Sequence, residues 1–258
     1  MDREFFRDKI EQSEMGLVGL GEDFDGMTTL RRRADYVRGC ERLKAEGVSW
    51  LIPAWNEYCL EQSGEHAVEE ALDKLDNLLE GKNHYTVSVA TNSRIAHGTR
   101  TVMPCGSVFR KQCSAGCRDI LPEVPEEERK LLGDIFHGLS MGSFTEESVS
   151  LGVCPDCGAP LILNNVYAEN YNENGYLDSW KLYMKWLQGT LNHRLLVLEL
   201  GVGMQFPTVI RWPFEKTAFF NRKAFFCRVN EKLYQLTKEL AEKGCGISED
   251  AVAWLAGL

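Results

Sequence analysis

No run of about 18 apolar residues occurs in the 258-residue chain, so no membrane-spanning helix is expected. The opening segment, Met1-Asp-Arg-Glu-Phe-Phe-Arg-Asp-Lys-Ile10, is charged and helical in character. It lacks the apolar stretch of a signal peptide, so a cytoplasmic location is expected. A compact basic stripe is also missing, and the formal net charge is −9. A field of that sign repels nucleic acid, which excludes it as an expected partner. The one basic run, Arg31-Arg32-Arg33, sits beside acidic neighbours and reads as a solvated loop or helix face ahead of an anion site. There are no internal repeats or low-complexity segments, which leaves one large domain with an insert, or two small ones.

Cysteine, by contrast, is plentiful, with nine residues. An odd number in a chain of this size and setting argues against a disulfide framework. Cys40, Cys59, Cys227 and Cys245 lie among apolar neighbours and read as small core residues. The other five fall between positions 105 and 157.

Hydrophobic periodicity supplies the elements. Met15-Gly-Leu-Val-Gly-Leu-Gly21 reads as a strand ending in a glycine turn, with a polar helix or loop over Glu22 to Asp35. Helical spacing runs from Tyr36 to Leu60, broken at Gly47 and Pro53, and Glu65 to Leu79 is an amphipathic helix. His84 to Ala90 alternates β-branched residues as a strand does and stops at Thr91-Asn92-Ser93. Positions 101–165 are loop-rich, with a helix expected from Pro125 to Phe136. Tyr176 to Leu191 is helical, with Trp180, Tyr183, Met184 and Leu187 on one side. Arg194 to Gly203 has the continuous apolar run of a strand buried on both faces. Ala224 to Asn230 is a further strand, followed by an expected helix over Glu231 to Lys243. Strands alternating with helices imply an α/β fold with a mostly parallel sheet covered on both faces.

Within the cysteine-rich stretch, Cys113-x3-Cys117 and Cys154-x2-Cys157-Gly158 each form a tight turn. Two such turns can aim four sulfurs at one centre about 2.3 Å away, which predicts a closed structural zinc site. The same ligands can hold an iron–sulfur cluster, and four buried free thiols are the plain alternative. Gly19-Leu20-Gly21 is by itself a weak dinucleotide signal, because no third glycine follows. Glu22 and Asp23 come next, where carboxylates oppose a diphosphate.

The order of these features resembles the Sir2 (sirtuin) family along nearly the whole chain. A glycine turn comes first, then a strand ending in Thr-Asn, a four-cysteine module, a strand ending in Gly-x-Gly and a strand ending in Val-Asn. Gly19 and Gly21 match the family's GAGxS turn, although its serine position is acidic here, and its proline-aspartate-phenylalanine-arginine loop has no recognisable match. Asn92 matches the asparagine of TQNxD, whose aspartate falls on Arg94, and His97 matches the histidine just beyond. Cys105-Gly106-Ser107 resembles the His-Gly-Ser/Asn motif, so Cys105 stands where the catalytic base is expected. Gly201 and Gly203 match the Gly-Thr-Ser turn, and Asn230-Glu231 the asparagine at the adenosine end. Leu198 to Gly203, with Pro213-Phe214-Glu215, looks most like the macrodomain-linked class M sirtuins.

The resemblance implies a Rossmann-like domain plus a small zinc-and-helix domain, with NAD+ and an acyl-lysine or other acceptor in the cleft between them. Residues 1–35, 84–104 and 166–258 are expected in the first, with 36–83 as helices of the second and 105–165 as its metal module. The implied chemistry is nicotinamide release with transfer of ADP-ribose, as a protein ADP-ribosyltransferase or a deacylase. Asn92, Cys105 and His97 are the candidate catalytic residues. Gly19, Gly21, Asn92, Arg94, Gly201, Gly203, Asn230 and Glu231 are the candidate cofactor contacts. Arg94 cannot accept a hydrogen bond and so cannot copy the aspartate of TQNxD, which leaves a phosphate or a substrate carboxylate as its expected contact. A cysteine of ordinary pKa is a poor base at neutral pH. Two alternatives stay open: a module that binds NAD or ADP-ribose without turnover, and a sirtuin-fold protein for another small molecule or partner.

Overall fold

The computed structural model describes residues 3–98, 100–146 and 149–258. Six parallel strands form one sheet: β1 (Met15–Leu20), β2 (Asn83–Ser88), β3 (Thr101–Val102), β6 (Leu195–Leu200), β7 (Phe225–Val229) and β8 (Gly244–Ile247). Their order is β3-β2-β1-β6-β7-β8. Every residue of β1 and β6 is buried, as continuous apolar runs in a parallel sheet require.

Strand alternation divides the apolar residues between two cores. Val18, Leu20, Leu196, Leu198 and Leu200 face α1 (Arg3–Gln12), α5 (Ala67–Leu79) and α11 (Ala251–Ala256). Met15, Leu17, Leu195 and Val197 face α8 (Leu177–Gln188), α9 (Arg211–Phe220) and α10 (Lys238–Ala241). A third core holds α2 (Met27–Leu30), α3 (Ala34–Ala45), α4 (Ile52–Ser63) and α7 (Glu126–Met141) against the antiparallel pair β4 (Gly106–Cys113) and β5 (Leu161–Asn165). The parallel sheet with helices on both faces and a small cysteine-bearing helical module is thus the fold that the sequence implied. None of the described helices is long and apolar enough to cross a membrane.

Several expectations need correction. The amphipathic helix α5 packs on the sheet through Leu72, Leu75 and Leu79, so the expected boundary at residue 83 falls instead before this helix. Burying each of these leucines contributes roughly 1.5–3 kcal/mol, which ties α5 firmly to the sheet. Met27 and Leu30, expected with the sheet, belong to the small module's core. The break after α3 comes at Gly47, with φ +74°, whereas Pro53 sits in the first turn of α4, where its missing N–H costs nothing. On α8, Tyr183 is buried but Met184 is exposed.

The helix expected over Glu231 to Lys243 shrinks to α10 (Lys238–Ala241). Asn230 Oδ1 accepts from the amides of Lys232 (3.0 Å) and Leu233 (2.7 Å). Arg211 and Arg228 take the carbonyls of Leu233 and Gln235. Those groups are therefore committed to side chains, and the segment stays irregular.

Candidate functional site

In an open parallel sheet, a crevice forms beyond the carboxyl ends of two neighbouring strands whose connections leave in opposite directions. Here those strands are β1 and β6. The segment after β1 meets the segment after β6 at van der Waals distance. A Cβ on Gly21 would lie 2.0 Å from the Gly201 carbonyl oxygen, so only glycine fits. A crevice of about 590 Å³ opens there, lined by Glu22, Asp23, Arg31, Arg32, Gly201, Gly203, Asn230 and Glu231 among others. Gly19 is not part of it. That glycine lies within β1, and a Cβ would come within 2.5 Å of Ile210 and 2.8 Å of Phe214, so its role is strand–helix packing.

The crevice walls are held by buried charge. Glu199 of β6 and its register partner Arg228 of β7 form a two-point ion pair at 2.7 and 3.0 Å. Arg211 on α9 joins Glu199 at 3.2 Å and donates to the Val202 carbonyl at 2.7 Å. Asn230 is buried and donates to the same carbonyl at 3.2 Å. All of the Asn230 side-chain partners recorded are backbone groups, so it fixes the shape of the two loops. A glutamate inside one apolar strand and an arginine inside the next are the sequence traces of this network.

Glu22 and Asp23 line the crevice, and two more carboxylates, Asp25 and Glu57, are buried beyond it. Glu22 Oε2 accepts the Gly203 N–H at 2.8 Å, so that amide is already engaged by a carboxylate. Burial, reinforced by Asp250 and Glu22, pushes Asp23 up to about 6. Burial also pushes Asp25 up to about 7, although it accepts the Thr91 N–H at 2.8 Å. Glu57 of α4 is raised to about 8 by burial and accepts the Ser93 N–H at 2.7 Å. Sequence reading named Glu22 and Asp23 but missed Asp25 and Glu57. The acid-rich Glu22-Asp-Phe-Asp25 turn was the available signal for the first, and nothing local marks the second. Arg31 and Arg32, expected on a solvated face, border the crevice, while Arg33 pairs with Asp35 at 2.6 Å.

The remaining candidates separate. Asn92 caps α6 (Ser93–Ala96), its Oδ1 accepting the Arg94 N–H at 2.9 Å. The Arg94 side chain turns outward onto α5, bonding Asp73 at 2.8 Å and Asp76 at 2.7 Å. The expected contact with a phosphate or a substrate carboxylate is therefore corrected: its charge is already matched by two carboxylates of the protein itself. His97 is exposed, lies edge-on to Phe109 at 5.3 Å, and lines a different cavity of about 440 Å³ with Ser107 and Arg129. Cys105 is buried and borders a small pocket of about 40 Å³ with Asp25, Thr91, Tyr167 and Gln205. Burial first, then the charges of Asp25 and Glu22, raises its thiol well above the usual range, so it is neither thiolate nor base.

The cysteine module stands apart. Cys113 ends β4, and Cys154 donates its N–H to the Ala159 carbonyl within the second turn. Gly116 and Gly158 take left-handed φ values of +65° and +74° that let each turn close. The four sulfurs of Cys113, Cys117, Cys154 and Cys157 lie within 4.8 Å of one another, with contacts of 3.4 to 3.5 Å. Four sulfurs set tetrahedrally about 2.3 Å from one ion would be about 3.8 Å apart, so the cluster fits a metal ion.

No family model matches the chain. A protein ADP-ribosyltransferase of Staphylococcus aureus is 22% identical over 96% of this chain and 84% of its own length. Among solved structures, a mutant Sir2 homologue in complex with ADP-ribose superposes with a TM-score of 0.57 at 13% identity, covering 100% of this chain and 94% of that one. A Sir2–peptide–NAD+ complex gives 0.54 at 14% identity over 99% of this chain and 96% of that one.

Proposed function

We propose that this divergent sirtuin-fold protein is an NAD+-dependent transferase that releases nicotinamide and passes ADP-ribose to an acceptor, in the manner of a protein ADP-ribosyltransferase. The observation that carries the reading is the crevice between β1 and β6, where Gly21 and Gly201 bring two backbones together beside two arginines with no recorded ion pair among the described residues. Arg31 and Arg32 are suited to the diphosphate, which the Glu22 carboxylate must release from the Gly203 amide. Gly203, Asn230 and Glu231 shape the adenosine end. Asn92 keeps its Nδ2 without a recorded partner among the described residues, free to orient a ribose hydroxyl. The C1′–nitrogen bond breaks, nicotinamide leaves with the bonding pair, and Glu22 and Asp23, carboxylates that line the crevice, stabilise the cationic ribose that develops.

Transfer is favoured over deacylation. The Cys105 thiol is held neutral, and His97 borders another cavity, so neither supplies the base that a deacylase uses at those positions. A peptide or protein acceptor is proposed from the S. aureus relative's name and the peptide-bound neighbour. The four thiolates suit zinc in a closed, structural site, and metal analysis with a visible spectrum separates it from an iron–sulfur cluster.

Nicotinamide release from millimolar NAD+ tests the reading. Turnover is expected in the wild type, with a loss of about 100-fold in Asn92→Ala. A second reading, a sirtuin fold that serves another small molecule or partner, is favoured by the Glu22–Gly203 hydrogen bond and predicts no thermal shift with any adenine nucleotide.

A further inference from the structure

We propose that Asp25 is the proton acceptor of the transfer step, taking the proton of the attacking acceptor or water at the small pocket it shares with Cys105. This inference rests on the transferase reading above. Breaking the C1′–nitrogen bond moves no proton, because the pair leaves with the ring nitrogen. Forming the new bond from C1′ to an acceptor oxygen or nitrogen does release one, and that proton needs a base within hydrogen-bond reach or one water away.

The structure leaves few groups able to serve. Cys105 is neutral, and His97 lines a cavity that shares no residue with this pocket. Glu22 is engaged by the Gly203 amide. Asp23 faces the other end of the crevice, against Gly201 and Asn230. Glu57 is held behind the Ser93 turn and opens onto the groove between α4 and α7.

Asp25 differs from all of these in placement. Its Oδ1 accepts the Thr91 N–H at 2.8 Å, one residue before Asn92. Its Oδ2 accepts the Thr91 hydroxyl at 3.4 Å, and the carboxylate also takes a backbone hydrogen bond from Asn92 itself. The pocket it borders, about 40 Å³, exceeds the roughly 10–15 Å³ that one water needs, so a nucleophilic atom or a relaying water fits. The pocket also shares Glu22, Met27, Arg31 and Gln205 with the cofactor crevice, so the two are continuous.

Burial raises the carboxyl to about 7, where a base is both available and strong enough near neutral pH. The groups facing it are Glu22 on its own turn, Arg31 after α2, Tyr36 on α3, Glu57 on α4, Cys105 before β4 and Tyr167 after β5. The charge of Glu22 also raises Asp25, and Asp25 in turn raises Glu57.

Two reactions of the full chain separate this role from a structural one: hydrolysis of NAD+ to ADP-ribose, and exchange of labelled nicotinamide into NAD+. Asp25→Asn keeps an acceptor for the Thr91 amide and is expected to lose hydrolysis about 100-fold. Exchange, which transfers no proton, is expected to stay within about threefold, with the melting temperature unchanged or higher. Wild-type hydrolysis is expected to fall as pH drops through about 7, and Glu22→Gln, which removes a charge that raises Asp25, to move that limb downward. Equal loss of both reactions in Asp25→Asn, or survival of the acidic limb in it, overturns the role of Asp25 while leaving the transferase reading intact. A wild type that neither hydrolyses nor exchanges overturns both.

Discussion

On the proposed reading an incoming diphosphate competes with Glu22 for the Gly203 amide, and Arg31 and Arg32 line the same crevice. Their competition predicts affinity directly. Replacing Glu22 with Gln removes a charge while keeping an acceptor, and is expected to tighten ADP-ribose binding about tenfold, or roughly 1.4 kcal/mol. Arg31→Ala with Arg32→Ala is expected to weaken it by at least as much. Titration calorimetry decides, and unchanged affinity in both variants would show that the diphosphate lies elsewhere. At this scale the sequence was partly readable. Gly21 and Gly201 follow strands and are visible as turn glycines, but Gly19 looks identical and does a different job, because only α9 reveals what packs against it. Likewise Arg94 looks like a free cation until Asp73 and Asp76, on a helix about 20 residues earlier, are seen to hold it.

The pair β4–β5 carries the cysteine cluster, and on the proposed reading it is the element that depends most on a bound metal. Cys113 and Cys154 are buried in the small module's core together with Leu161, Ile162 and Leu163, so the sulfurs anchor packing as well as an ion. Cys154→Ala, or prolonged treatment with a strong chelator, is expected to melt this module while the parallel sheet survives. Hydrogen exchange should then rise across β4, β5 and α7 and remain low in β1 and β6. Uniform protection after the metal is removed would reject the structural role. Strands buried on both faces were legible because their apolar runs are unbroken. The short α10 was not, since Asn230, Arg211 and Arg228 override the helical tendency of 231–237 from outside that segment.

Across the whole molecule, three buried acids set the response to pH. Asp23, Asp25 and Glu57 stand at about 6, 7 and 8, against ordinary values of 3.8, 3.8 and 4.5. Each folded-state pKa is raised, so the folded protein binds more protons than the unfolded chain between those limits. Stability must therefore rise as pH falls from about 8 towards 6. A melting temperature several degrees higher at pH 6 than at pH 8 is expected, and Asp25→Asn with Glu57→Gln should flatten the difference. A melting temperature that climbs with pH would contradict the burial of these groups. The sequence by itself determined the parallel sheet, its covered faces and the four-cysteine module, because apolar periodicity and ligand spacing are local patterns that any chain of this order must satisfy. Only the tertiary structure decided which charges meet. Asp25 comes to Thr91 across 66 residues, Glu57 to Ser93 across 36, and Glu22 to Gly203 across 181. Contacts closed over such separations depend on how the strands are ordered in space, and no short window of sequence carries that information.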